Sequence, residues 1–247
     1  MCVKRPLRLK FLICGLILVN MARAQDLLKD SVTNSLYNSY PVSLYFNALG
    51  ENAHVYTGYE YYTPDRNIKG SPYFLADGPI PATLIYDDSY YQNIPASYDL
   101  VRDELIINRL GQNFKISLVA DKLSSFTIHN HEFIRISRDS ARGIELPTGY
   151  YDKMYAGKTT VFVKRQRRLQ EVLYYGTTTS EYKDENIYYV ITGGQIVQLS
   201  SKSAVLDLFK SKKTEIKSFI RKNKLSFKSD FEKTLVAVSA YYDQLTS

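Results

Sequence analysis

His129 and His131 stand one residue apart in TIHNHEF, and they are two of the three histidines in the chain. On a regular strand, residues i and i+2 share a face. Both imidazoles then reach one metal ion if a further ligand such as His54 or Glu132 joins them. Asn130, between them, favours left-handed turn geometry instead, and apolar strand-like runs flank the triplet. In that arrangement HNH is the exposed tip of a hairpin and the two rings need not converge. The turn is the favoured expectation, and no metal or other cofactor is expected.

The stretch YDLVRDELII supplies Asp99, Asp103 and Glu104. Paired carboxylates can divide acid and base roles, as in glycoside hydrolysis. Here Asp103 and Glu104 read as turn residues and Asp99 as a polar group at a strand edge. KRQRRLQ, residues 164–170, is a basic run that reads as a solvated strand end. No aromatics interleave with it, so it lacks the pattern of single-stranded nucleic-acid binding, and no nucleic-acid partner is expected. Contact with an anionic headgroup or polysaccharide is its secondary reading. The chain has no G-x-S-x-G, no H-E-x-x-H, no P-loop and no dinucleotide-binding glycine pattern.

Residues 1–24 read as a signal peptide rather than as part of the fold. Lys4, Arg5, Arg8 and Lys10 precede the apolar run Phe11–Val19, and Ala22-Arg23-Ala24 supplies small residues at a cleavage site. The run is less than half of what a membrane-spanning helix needs. Cleavage after Ala24 removes both cysteines, Cys2 and Cys14, so residues 25–247 offer no disulfide, no thiol nucleophile and no thiolate metal site. It also removes five of the 32 basic residues and no acid, so the net charge falls from +7 to +2. The remaining charge is polarised: residues 25–157 carry a net −5 and residues 201–247 a net +5.

Several kinds of element must position these groups. Residues 26–38 can form a short helix. VSLYF, HVYTGYEYY, ATLIYDD and SYYQNI are rich in β-branched and aromatic residues, with Gly, Pro and Asn between them. Over 98–136, YDLV, ELIINRL, FKISLVA, LSSFTI and FIRI recur about every ten residues, the spacing of an antiparallel meander. GYYDKMY and TTVFVKR flank a turn at 156–158. EVLYYG, NIYYVITGG and QIVQLS follow, with Gly193-Gly194 as a two-residue turn. From Ser203 the apolar period becomes helical. Val205, Leu208, Phe209, Ile216, Phe219 and Ile220 form one stripe, with Ser203 as its cap. Ser229 and Glu232 read as a capping box before a second stripe of Phe231, Leu235, Val238, Tyr242 and Leu245.

The composition adds 22 Tyr and 11 Phe with no Trp. Tyrosine doublets at 61–62, 90–91, 150–151, 174–175, 188–189 and 241–242 place one ring in a core and one outside if they lie on strands. VYTGYEYY, SYYQNIPASYDLVRDELII, GYYDKMYAGKTTVFVKR and the tail SKSAVLDLFKSKKTEIKSFIRKNKLSFKSDFEKTLVAVSAYYDQL together resemble exported proteins of unknown function from Bacteroidota. That resemblance implies a bacterial envelope location, in the periplasm or beyond, and carries over no catalytic residue.

The expected fold is mainly β: an antiparallel meander forming a curved sheet or incomplete barrel over about 40–200, with two C-terminal helices over 203–246. All of it lies in one mature domain, 25–247. An outer-membrane barrel competes, but the helical C-terminus argues against it. The expected function is non-catalytic binding of an envelope protein, glycan or lipid. A hydrolase with a carboxylate or histidine site is the alternative.

Overall fold

The computed structural model describes residues 54–65, 67–109, 112, 114–137 and 146–246. The signal peptide, the helix expected at 26–38, the strand at 42–46 and most of the loop at 137–149 lie outside them. No helix of the described residues is long and apolar enough to cross a membrane.

Among the described residues thirteen strands run in chain order. They are β1 (Gly58–Tyr61), β2 (Ile80–Tyr86), β3 (Ser89–Asp99), β4 (Glu104–Asn108), β5 (Lys115–Leu118), β6 (Leu123–Ile128) and β7 (His131–Ile136). Then come β8 (Gly149–Ala156), β9 (Thr160–Lys164), β10 (Arg167–Tyr174), β11 (Thr177–Asp184), β12 (Ile187–Thr192) and β13 (Gln195–Leu199). Eleven form one antiparallel sheet in the order β1-β5-β4-β3-β2-β6-β7-β8-β9-β12-β13, and β10 and β11 form a separate two-stranded ribbon. The sheet does not close into a barrel. The fold is mainly β with C-terminal helices, as the sequence implied.

Turn chemistry sets the registers. Gly193-Gly194 joins β12 to β13 with φ of 55° and 76°, the left-handed pair that a tight hairpin demands. Asp87-Asp88 does the same between β2 and β3, so DD is a turn rather than a strand end. β3 is one long strand where two were expected, because Pro95 does not interrupt it. Pro95 sits opposite Pro81, and pairing with β4 begins only at Ala96, so its missing N–H removes no ladder bond.

Three C-terminal helices replace the expected two: α1 (Lys202–Leu208), α2 (Lys213–Lys222) and α3 (Phe231–Leu245). The break at Phe209–Lys212 lets Phe209 lie on Tyr242, 4.4 Å between ring centres, while Phe219 stacks on Tyr241 at 4.1 Å. Tyr241 and Tyr242 are neighbours on one helix and point in different directions, so one straight helix could not serve both. The caps also shift by a residue or two. Ser201, not Ser203, accepts the N–H of Ala204, and Asp230, not Ser229, accepts that of Lys233.

Val161, Val190 and Leu199 on the sheet pack against Val205, Phe209, Ile216, Leu235 and Val238 of the helical segment, all essentially sealed from water. The reverse face buries Ile136, Leu146, Tyr151, Phe162 and Tyr189. β8 is therefore covered on both sides, and both members of the doublet Tyr150-Tyr151 are buried. The one-in, one-out expectation holds at Tyr61-Tyr62 and fails here. A second core of rings joins β3 to β6–β8. Phe126 stacks on Phe133 at 4.8 Å, and Tyr98 meets both edge-on.

Truncating Phe209 to alanine is expected to cost about 3–5 kcal/mol. The exposed Val101→Ser should stay within about 0.5 kcal/mol of wild type. Urea unfolding followed by circular dichroism checks both.

Candidate functional site

His129 and Asn130 form the two-residue turn between β6 and β7, with the left-handed φ of 52° on His129 rather than on Asn130. His129 is exposed at the tip. His131 is not part of that tip. It opens β7, and its Nδ1 lies 2.7 Å from Asp152 Oδ2. An ionised carboxylate only accepts, so Nδ1 carries the hydrogen and Nε2 is the remaining nitrogen. The two histidines thus serve different ends. No group of three or more His, Cys, Asp or Glu placed to hold a metal occurs among the described residues.

Asp152 lies opposite Phe133 and Val163 in the ladder, on the apolar face of β8, and is wholly buried. Arg165, just past β9, donates to it from Nε at 2.9 Å and Nη2 at 2.6 Å. The same guanidinium grips Glu232 in the first turn of α3 through Nη1 at 2.6 Å and Nη2 at 2.8 Å. Burial works against the Arg165 charge, but the hydrogen bonds to Glu232 and the charge of Asp152 outweigh it and raise its pKa. All three bonds to Asp152 fall on Oδ2, and buried Oδ1 has no partner among the described residues. A His–Asp pair can orient an imidazole as a general base. In this protein the carboxylate is shared with a buried arginine. No hydrogen bond brings a serine, threonine or cysteine to His131 among the described residues.

A second cluster surrounds Asp103, which takes a φ of 60° in the β3–β4 turn. Its carboxylate accepts from Tyr98 Oη and from Lys164 Nζ, each at 2.5 Å. Burial draws the Lys164 pKa below its ordinary value, with Asp103 opposing the shift. Burial also pushes the Tyr98 phenol well above its usual range, and Asp103 adds to that. Asp99 is not at an open edge: it is fully buried, accepting from Tyr61 Oη at 2.8 Å and from the N–H groups of Val101 and Arg102. Glu104 begins β4 opposite Asp99. Asp99, Asp103 and His129 share no hydrogen-bond partner, so the convergent cleft that a hydrolase reading asks of them is not formed by these contacts.

The run 164–170 is likewise not a solvated strand end. Lys164 and Arg165 are committed as above. Arg167 donates to the carbonyls of Ser71 and Tyr73 and pairs with Asp184, while Arg168 pairs with Glu185. These contacts fasten the foot of the β10–β11 hairpin, together with main-chain hydrogen bonds from Lys69 to Ser180 and from Tyr182 to Lys69. Spacing alone could not reveal Asp152 and Arg165 as partners. The available signal was a carboxylate on the same strand face as Tyr150 and Met154.

Beyond its foot the described side chains of the hairpin are exposed or half-buried, and none is sealed from water. Leu169 and Leu173 share a strand face, Tyr182 is the cross-strand partner of Leu169, and Leu173 is 73% exposed. Tyr182 also lines an open groove of about 280 Å³ with Tyr73, Leu75, Ala76, Asp77 and Arg167. At the tip, Tyr175-Gly176 takes φ of 47° and 81°. A bulky residue in the left-handed region costs roughly 1–2 kcal/mol. The Tyr175 ring is nevertheless 93% exposed, so burial does not explain its place there. EVLYYG was legible as a strand, but its partner TTTSEYKD has no apolar alternation and was missed.

Comparison with protein-family models, with curated proteins and with solved structures returns no match.

Arg165→Met leaves two carboxylates facing each other without a cation, and is expected to cost about 3–5 kcal/mol. Replacing Asp152 and Glu232 by leucine in the same chain should recover most of that loss in equilibrium unfolding. The tyrosines give a pH prediction. Burial raises the folded-state pKa of Tyr61, Tyr98, Tyr150 and Tyr151 above the ordinary 10.0. The stability they contribute is therefore complete below pH 10 and is lost as pH rises beyond it, because the unfolded chain releases its phenolic protons first. Tm measured from pH 8 to 11 should fall at the alkaline end. Phenolate absorbance of the folded protein should lag behind that of free tyrosine.

Proposed function

We propose that this chain is an exported, non-catalytic protein of the bacterial envelope that binds a partner polypeptide through the β10–β11 hairpin and the groove at its foot. The observation that carries the binding reading is Tyr175, a large ring held outward on a strained tip residue. The tight turn demands the left-handed backbone there, but it does not demand a bulky aromatic at that position. Leu169 and Leu173 extend an apolar stripe from the tip towards Tyr182 and the groove. Beyond its first residue, β10 pairs with β11 alone among the described residues, so its outer edge offers main-chain groups to an added strand. The charged clusters, in contrast, are spent on holding the sheet and helices together. Export is supported by the pattern of residues 1–24, and the envelope by the resemblance noted from the sequence.

Two measurements test this. Mass spectrometry of the chain recovered from a bacterial periplasm should give an N-terminus at Gln25. An uncleaved cytoplasmic product would remove the export reading. A photo-crosslinking residue placed at 173 in the native host should give one discrete protein adduct, lost in Leu169→Ser/Tyr175→Ser while Tm is unchanged. Labelling that is diffuse, or indifferent to those substitutions, would sink the hairpin as the binding element.

A further inference from the structure

The C-terminal segment has a charge arrangement that its own contacts do not use up. Residues 201–247 hold ten cations and five acids. Every one of the five acids is engaged. Asp207 pairs with Lys213 and Glu215 with Lys212. Asp230 caps α3, Glu232 grips Arg165, and Asp243 takes the N–H of Thr159. The ion pairs of the described residues include none from Lys217, Arg221, Lys222, Lys224 or Lys228. All five are exposed, and they crowd the outer face of α2 and the loop behind it.

That loop also carries apolar side chains. In Lys224-Leu225-Ser226-Phe227-Lys228 the lysines and the serine are exposed while Leu225 and Phe227 are half-buried. Leu225 and Phe227 join Ile220 and Phe231 in lining a groove of about 360 Å³, whose other walls include Lys202 and Lys228. Lys224 holds a left-handed φ of 53° at the end of α2, where its N–H and that of Leu225 close the helix on the carbonyls of Arg221 and Ile220. The position favours glycine or asparagine. A cation there keeps the charge at the helix C-terminus and directs it outward with its neighbours.

We propose that this face docks on a phospholipid leaflet bearing anionic headgroups. The lysines and Arg221 meet the phosphates, and the groove between Lys202 and Lys228 takes the apolar edge of a lipid. Charge complementarity selects the occupant. A purely anionic polymer would satisfy the lysines but leave the groove of Ile220, Leu225, Phe227 and Phe231 unused. The site is distinct from the hairpin and does not depend on the hairpin having a partner.

The test is co-sedimentation of the full protein with phosphatidylcholine vesicles, with and without phosphatidylglycerol. Binding should require phosphatidylglycerol and fall as salt is raised. Lys222→Glu/Lys224→Glu/Lys228→Glu should weaken it at least about tenfold, since each cation near an anionic surface contributes roughly fivefold in binding. The milder Lys→Gln set at the same positions keeps the test readable if charge reversal perturbs the fold. Phe227→Ser should weaken binding while leaving its salt dependence in place. Equal binding to both vesicle types, an unaffected charge variant, or tighter binding to heparin than to the anionic vesicles would each overturn the proposal.

Discussion

One guanidinium holds the sheet and the helices in their relation. Arg165 stands where β9 ends, and it satisfies a carboxylate from the sheet, Asp152, and one from α3, Glu232. Asp152, sealed from water, depends on that cation, because an unpaired charge in a sealed interior costs several kcal/mol. The far end of α3 is fixed by a different device. Asp243 accepts the N–H of Thr159 at 2.9 Å and the hydroxyl of Tyr155 at 3.0 Å, in the turn that joins β8 to β9. A carboxylate in the last turn of a helix is disfavoured by the helix dipole, so donors from outside must hold it there. Together the two acids lay α3 along a single hairpin of the sheet, and the apolar residues between them then meet Val161 and its neighbours.

Tyrosine does in this protein what a simpler apolar residue could not. Three times a phenol that is buried or half-buried ends on an aspartate: Tyr61 on Asp99, Tyr98 on Asp103 and Tyr155 on Asp243. Each pair lets a ring supply apolar area while its hydroxyl answers a carboxylate that a turn or helix end has brought inward. Tryptophan has one donor at a fixed place on a larger ring and would not fit the same pairing. Three of the 22 tyrosines thus have an internal use as the partner of a carboxylate.

The meander, the glycine turn at 193–194 and the amphipathic stripes of the C-terminus were legible because each is written in local periodicity. What was not legible depends on partners far apart in the chain. Arg165 was read within a solvated strand end and Asp152 was not singled out, since nothing in GYYDKMY or KRQRRLQ says that β8 is covered on both faces. The strand break expected before Pro95 failed for a similar reason, because a proline is harmless or harmful according to what lies across the ladder. His131 was grouped with His129 by spacing, yet the turn ends between them, and one ring points to solvent while the other closes a buried charge cluster.

The β10–β11 ribbon interrupts the chain between two strands that are themselves neighbours, since β9 pairs directly with β12. Its foot is closed by Arg167 and Asp184, so the ends of the insertion are already side by side. Everything beyond the foot can therefore lengthen, shorten or change composition without asking the sheet to move, because closing a longer loop adds little entropy. The outer ribbon can vary on a socket that the sheet holds fixed. Sequence change can accumulate there at almost no expense to the folded body.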